Sequence, residues 1–189
     1  MPSAAAIRRA EELHRELPVV DCHGDIPVDL WRRRRAGERA PLADDYANRL
    51  REGGVRIEFM TVGGDQPLTM DGIGSPEIRA LELIDDVLSE IDSTPALRAI
   101  RTAEDLDRTI AGQAIGIVLH FEGLAPVRGK LSLARSFHRL GVRSAQLTWN
   151  MRNEVADGIG EPMASELSAV GQKVVRELDR LGVISTCLT

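Results

Sequence analysis

The stretch A-I-G-I-V-L-H-F-E-G, residues 114–123, decides the fold. From Ala114 to Phe121 it is apolar almost without interruption, which is typical of a strand buried on both faces of a parallel sheet. The apolar run stops at Glu122-Gly123, so a carboxylate follows directly after the strand. The sequence therefore predicts a parallel sheet with a polar group at its carboxyl edge.

Strands and helices are predicted to alternate around this central strand. Strands are predicted over residues 17–23, 55–62, 142–149 and 183–189, and helices over 4–16, 103–111, 131–140 and 167–181. We expect the first strand to be buried and the polar, Arg-rich stretch 29–52 to be helix or loop. A strand–helix–strand order builds right-handed βαβ units, hence an α/β fold. Five parallel strands fit an open doubly wound sheet or part of a (β/α)8 barrel, because a full barrel needs about 250 residues.

A longer helix is predicted to start at Ser75-Pro76, with serine as N-cap and proline in the first turn. Its apolar residues recur at helical spacing and predict one face turned to the core: Ile78, Leu81, Ile84, Leu88 and Ile91.

The composition excludes several classes of protein. The chain has 189 residues, 43% hydrophobic and 28% charged, with a net charge of −5, which is typical of one acidic globular domain. An acidic chain with 3% aromatic residues is a poor candidate for binding nucleic acid. No apolar run reaches the length of a membrane span, and the charged N-terminus does not resemble a signal peptide. With only Cys22 and Cys187, we expect reduced thiols and a cytoplasmic protein.

His23-Gly24-Asp25 lies at the C-terminal end of the first predicted strand. Side chains two residues apart on a strand point to the same side, so His23 and Asp25 can reach one point at the carboxyl edge. An imidazole and a carboxylate are suitable zinc ligands. Taken alone, the tripeptide is more typical of a turn, because H-x-D arises easily by chance.

Glu122 is the second candidate, at the same predicted edge. A glutamate can bridge two metal ions and share an ionised water between them. Taken alone, Glu122 fits a loop carboxylate equally well. His120 lies two residues earlier, and a hydrogen-bonded core histidine is favoured over a ligand.

A further group of candidates lies at the end of the fourth predicted strand and in the loop beyond it. Trp149 and Asn150, with Asn153 and Asp157 beyond them, are candidates for lining a substrate pocket, although Asn and Asp also suit ordinary turns. The run Arg32 to Arg35 indicates either a phosphate or nucleic-acid contact or, as is more usual, a solvated face. Cys22 is expected on the opposite side of the strand from His23, which argues against a Cys-His nucleophile.

Five motifs together resemble the membrane (renal) dipeptidase family, peptidase family M19. They are VVDCHGDIP (19–27), GGVRIEFMTV (53–62), GIVLHFEG (116–123), LGVRSAQLTWN…NEVADG (140–158) and ELSAVGQKVVRELDRLGVI (166–184). Each motif is weak alone, but their order and spacing are specific. The resemblance implies a TIM-type (β/α)8 barrel of the metal-dependent hydrolase kind, of which residues 1–189 would form an incomplete, N-terminal part.

The resemblance also implies an activity and a ligand set. It implies a zinc-dependent dipeptidase with two ions in the family, in which His23 and Asp25 bind one zinc, and Glu122 bridges to the second and is catalytic. A metal-activated water attacks the peptide carbonyl of a dipeptide substrate. Trp149 stands where some members have a substrate-contacting histidine. Members are often dimers, so the resemblance leaves a homodimer open.

The last residues depart from the family pattern. A D-[LV]-S-H segment is expected, but the chain reads Ser-Thr-Cys-Leu-Thr, with Thr189 at the place of the histidine. A one-nucleotide frameshift converts Val-Asp-Leu-Ser-His into this ending for suitable codons, and sequencing the locus tests that hypothesis. On this hypothesis the second metal site is incomplete and the chain inactive alone. The alternative is a non-catalytic pseudoenzyme or interaction fragment of the same fold.

Overall fold

The computed structural model describes residues 2–65, 75–163 and 165–186. The predicted positions Cys187 and Thr189 lie outside this part of the chain. The strands are β1 (Val19–Gly24), β2 (Val55–Gly64), β3 (Leu97–Ala99), β4 (Ile115–Glu122), β5 (Val142–Gln146) and β6 (Ile184–Thr186). The α-helices are α1 (Ala4–Glu16), α2 (Ile26–Arg35), α3 (Ala47–Glu52), α4 (Pro76–Ser93), α5 (Ala103–Ala111), α6 (Leu131–Leu140) and α7 (Ala169–Arg180).

All the strands run parallel in one curled sheet, a half-barrel, in the order β1-β2-β4-β5-β6. This path confirms the α/β class and the five predicted strands. The short strand β3 was not predicted. It pairs with the first residues of β4, Leu97 opposite Ile115, below the point where β5 begins to pair with β4 at Leu119.

The central strand is buried along its whole length, as its apolar run predicts. Because side chains alternate, Ile117 and Phe121 of β4 face the helices, where they join the main core with Ile84 of α4 and Phe137 of α6. Val118 faces the other way, into a smaller inner cluster. Each face of the sheet is therefore covered by packed side chains, and the residues of the inner face continue to the carboxyl ends of the strands.

Two expectations about burial were wrong. β1 is an edge strand that pairs with β2 alone among the described strands, so most of it is exposed, including Val20. In α4, Ile84 and Ile91 are buried as predicted, but Ile78 and Leu81 are about half exposed, because the buried stripe is rotated slightly around the helix. That stripe consists of Ala80, Leu83, Ile84, Val87 and Ile91.

Two helix ends follow the local signals, whereas Ser75 stands at the N-cap position of α4 without a side-chain capping hydrogen bond. At α5, Thr102 accepts from the backbone N–H of Asp105, whose carboxylate accepts from the backbone N–H of Thr102, so the two residues form a capping box. α6 ends at Gly141, where φ is 116° and a side chain would be strained. None of the helices in the described ranges is long and apolar enough to cross a membrane.

The arginine run of α2 is used inside the molecule. Arg34 Nε lies 2.9 Å from Asp86 of α4, and Arg35 contacts both Glu82 and Asp86. Arg33 pairs with acidic residues outside α4, among them Glu38 at 2.8 Å. The ion pairs of Arg34 and Arg35 clamp α2 against α4. The run was expected to form a solvated face, whereas Arg33, Arg34 and Arg35 pair with carboxylates of the same chain.

Candidate metal centre

Three of the predicted side chains meet at the carboxyl edge of the sheet. His23 Nε2 lies 3.6 Å from Asp25 Oδ1 and 3.6 Å from Glu122 Oε1. One ligand atom from each residue falls within 4.8 Å of the other two. His23 and Asp25 are about half exposed, whereas Glu122 lies deeper, with 12% of its side chain exposed. The cluster therefore opens outward and has a carboxylate at its inner side.

The ends of β1 and β4 explain this convergence. Both strands run parallel to β2, so both end at the same edge of the sheet. Asp25 occupies the N-cap position of α2, but its side chain makes no capping hydrogen bond, so the turn interpretation does not account for its carboxylate. Gly24 leaves room between the two ligands, because a Cβ there would meet the carboxylate of Glu58 and that buried side chain would have to move.

The donor set fits a divalent metal ion. One imidazole nitrogen and two carboxylates are ligands that transition metals accept, and the close approach of Asp25 and Glu122 is otherwise unfavourable. Within residues 2–65, 75–163 and 165–186, this is the one group of three or more such side chains close enough to share an ion. His23, Asp25 and Glu122 could therefore hold a metal between β1 and β4.

A cleft of about 440 Å³ extends from this cluster along the inner face of the sheet. Its lining residues are Cys22, His23, Phe59, His120, Glu122, Ser144, Gln146, Ile184 and Thr186. Cys22 was expected on the opposite face of β1 from His23. Both line the cleft, because the pairing of β1 with β2 is irregular between Asp21 and Gly24.

His120 is a buried, hydrogen-bonded histidine, as the sequence favoured. Its Nδ1 lies 3.0 Å from Ser144 Oγ, and its ring packs edge-on against His23 and Phe59. Burial, followed by the nearby charge of His23, lowers the pKa of His120 to about 4. His120 is therefore neutral around pH 7. It lies two residues before Glu122 on the same face of β4.

The backbone of the residues after β5 is held both within its own loop and to Asp65, which follows β2. The backbone N–H of Trp149 donates to Asp65, and the backbone carbonyl of Asn150 accepts from Gly160. Neither side chain is among those lining the cleft, so their substrate contact stays a prediction. Asn153 donates hydrogen bonds to Asp65 and to the carbonyl of Leu147, and these bonds fix the conformation of the loop.

Asp157, the other candidate in this loop, is also engaged in hydrogen bonds within the loop. It accepts hydrogen bonds from the backbone N–H of Ser165 and from Arg152, which lower the pKa of its carboxyl to about 2.

Sequence reasoning missed two carboxylates near the centre. Asp65 binds three N–H donors just after β2. Glu58 is almost fully buried, its Oε2 has no hydrogen-bond partner, and burial together with Asp21 raises its pKa to about 8. The available signal was one acidic residue inside the apolar run V-R-I-E-F-M-T-V, residues 55–62.

The comparisons with known proteins agree on one family. A model of the membrane dipeptidase family, peptidase family M19, matches residues 7–186. Dipeptidase 3 of Homo sapiens is 29% identical over an alignment that covers 93% of this chain and 37% of that protein. An uncharacterized dipeptidase of Schizosaccharomyces pombe is 30% identical, with 94% of this chain and 47% of that protein covered.

Solved structures agree on the fold. The probable dipeptidase PvdM from Pseudomonas aeruginosa superposes with a TM-score of 0.77 at 20% identity, over 96% of this chain and 49% of that one. A metallo peptidase from Rhodobacter sphaeroides, liganded with a phosphinate mimic of the dipeptide L-Ala-D-Ala, gives 0.75 at 22% identity, over 89% and 57%. The chain thus spans about half the length, or less, of the proteins that it matches.

Proposed function

Since the chain belongs to the membrane dipeptidase family, peptidase family M19, we propose that it binds zinc through His23, Asp25 and Glu122 and serves the hydrolysis of dipeptides. The observation that carries the proposal is the meeting of these three side chains within 4.8 Å at the carboxyl edge of a parallel sheet. Parallel α/β barrels keep their active sites at this edge.

The position of each of the three residues suggests its role in the reaction. Zinc, when bound, would polarise the scissile carbonyl and lower the pKa of a water, so that hydroxide would be available near neutral pH to attack that carbonyl. Glu122 is the least exposed of the three, and we assign it the catalytic role of holding the ion at the inner side of the cleft, while the proton of the ionised water would leave to solvent. His23 lines the cleft beside Glu122, so it can orient a substrate there as well as bind the ion.

The substrate assignment rests on the family and on one structural neighbour. That neighbour, the metallo peptidase from Rhodobacter sphaeroides, is liganded with a phosphinate mimic of L-Ala-D-Ala, so we propose dipeptides as the substrate class. Trp149 and Asn150 follow β5 at the same edge, and contact with the substrate is proposed for them. A second zinc ion, proposed from the family resemblance, would share Glu122.

Zinc binding by the purified chain tests the first half of the proposal. The chain is stripped with a chelator and titrated with zinc in competition with a chromophoric chelator. Because changing groups around a metal costs about 10–100-fold in affinity, removing a ligand in His23→Ala is expected to cost about 100-fold or more. His14→Ala, which removes an exposed histidine on α1, is the matched control and is expected to bind like wild type. Equal affinity in both variants would refute the site.

Turnover tests the second half. Zinc-loaded chain is incubated with L-Ala-D-Ala, and release of free D-alanine is measured. Hydrolysis that disappears in Glu122→Gln supports a catalytic role for this chain. Zinc binding without hydrolysis favours the alternative, a non-catalytic member of the same fold.

A further inference from the structure

Asp65 ties together the ends of three strands. It follows β2 directly, and its backbone N–H donates to the carbonyl oxygen of Glu122 over 3.0 Å. Its carboxylate accepts from the backbone N–H of Ala125 at 2.7 Å, beyond β4. The same carboxylate accepts from the backbone N–H of Trp149 at 3.1 Å and from Asn153 Nδ2 at 2.8 Å, beyond β5.

The backbone around Asp65 leaves room for this arrangement. Gly123 has a φ of 107°, and a Cβ there would run into the Asp65 carboxylate. Gly64 lies opposite Glu122 in the strand register, and a Cβ there would run into the Glu122 backbone. Close approach of β2 to the end of β4 therefore depends on two glycines and one carboxylate.

Asp65 is held by N–H groups, and in the described part of the chain no arginine or lysine pairs with it. A carboxylate that accepts several N–H bonds fixes the backbone that carries those donors, because each bond is charge-assisted. The donors lie three residues after Glu122 and three residues after Gln146, the strand neighbour of Glu122. The effect of Asp65 is thus concentrated on the strand ends that frame Glu122.

We propose that Asp65 is a positioning residue for the metal centre, which fixes the backbone of Glu122 and couples it to the loop that carries Trp149. The inference rests on the proposed zinc-binding role of Glu122. Asp65 itself touches neither metal nor substrate in this account. It acts by holding Glu122 against His23, so its removal misplaces a ligand without deleting one.

The first test compares Asp65→Asn with Asp105→Asn. Asp105 is a matched control, because its carboxylate also accepts three hydrogen bonds, from the backbone of Arg101 and Thr102 and from the Thr102 hydroxyl, at the start of α5. A purely structural role lowers the melting temperature in both variants and leaves zinc affinity alone. We expect Asp65→Asn to weaken zinc binding about 10-fold, the lower end for groups that orient a ligand. Wild-type affinity in folded Asp65→Asn would overturn the inference.

The second test needs no zinc. Amide hydrogen exchange of the zinc-free chain is compared for wild type, Asp65→Asn and Gly123→Ala, which disturbs the same contact from the opposite side. The amides of Ala125 and Trp149 are expected to exchange about 10-fold faster in both variants, while those of α5 are unchanged. Unchanged exchange at these two amides would overturn the inference. This result does not depend on zinc, so it is distinct from a failure of the wild-type chain to bind zinc, which would count against the proposed function.

Discussion

His23 Nε2 lies 3.6 Å from Glu122 Oε1, although the two residues belong to strands that are not neighbours in the sheet. β2 separates them, and all three strands run parallel. The contact therefore forms above the end of β2, where the side chains of β1 and β4 can lean toward each other. A metal ion shared by both ligands would link the edge strand to the central one.

Glu122→Gln tests the charge of the deepest ligand. The substitution keeps the shape of the side chain but replaces the carboxylate with a neutral amide, which is a weaker metal ligand. We expect zinc affinity to fall about 100-fold or more. Without zinc, the melting temperature should stay the same or rise, because Asp25 and Glu122 no longer repel each other within 4.8 Å. Glu11→Gln on the exposed helix α1 is the control, and an equal loss of affinity there would contradict the assignment.

Glu58 predicts how stability depends on pH. Its pKa is raised from 4.5 to about 8 in the folded chain, because burial disfavours the charged form and Asp21 adds to the effect. The folded state therefore holds this proton more tightly than the unfolded state does. The stabilising contribution is complete below pH 4.5 and is lost as the pH rises through about 8.

Thermal unfolding of Glu58→Gln between pH 4 and 9 checks this prediction. The neutral amide removes the titration, so the variant should lose less stability than wild type as the pH rises, and above pH 8 it should be the more stable of the two. Glu52→Gln, in an exposed position at the end of α3, should follow wild type. Parallel curves for wild type and Glu58→Gln would show that the buried carboxyl does not titrate in this range.

Arg34→Met tests the clamp between α2 and α4. Arg34 lies 2.9 Å from Asp86 Oδ1 and 3.4 Å from Glu90 Oε1, and Glu90 is almost fully buried. Methionine keeps much of the apolar stem but leaves both carboxylates without this cation. We expect the free energy of unfolding in urea to fall by about 1–3 kcal/mol. Arg8→Met on exposed α1 should change it by less than about 0.5 kcal/mol, and a similar loss in both would contradict the clamp.

Much of the fold was predictable because a parallel strand that is buried on both faces consists of apolar residues almost throughout. The apolar run of β4 and its abrupt end at Glu122 predicted both a central strand and the edge at which polar side chains collect. The convergence of His23 with Glu122 followed from the rule that parallel strands end together. The exposure of β1 was not predictable, since a pair of valines such as Val19 and Val20 occurs in edge strands as well as in central ones.

The partners of buried charges could not be predicted either. Nothing near Asp65 in the sequence indicates that its donors are Ala125 and Trp149, because hydrogen bonds between loops depend on how the strands are arranged in space. The run Arg32 to Arg35 likewise gave no sign that Asp86 and Glu90 would face it. β3 has three residues, too few for any period to be detected.

Anomalous X-ray scattering from crystals of the zinc-soaked chain, recorded on both sides of the zinc absorption edge, tests the central claim most directly. The account predicts a peak between His23, Asp25 and Glu122, with ligand atoms about 2.0–2.2 Å away. The peak should be absent from crystals of His23→Ala grown and soaked in the same way. A peak at another place in the chain, or no peak in wild-type crystals at saturating zinc, would contradict the claim.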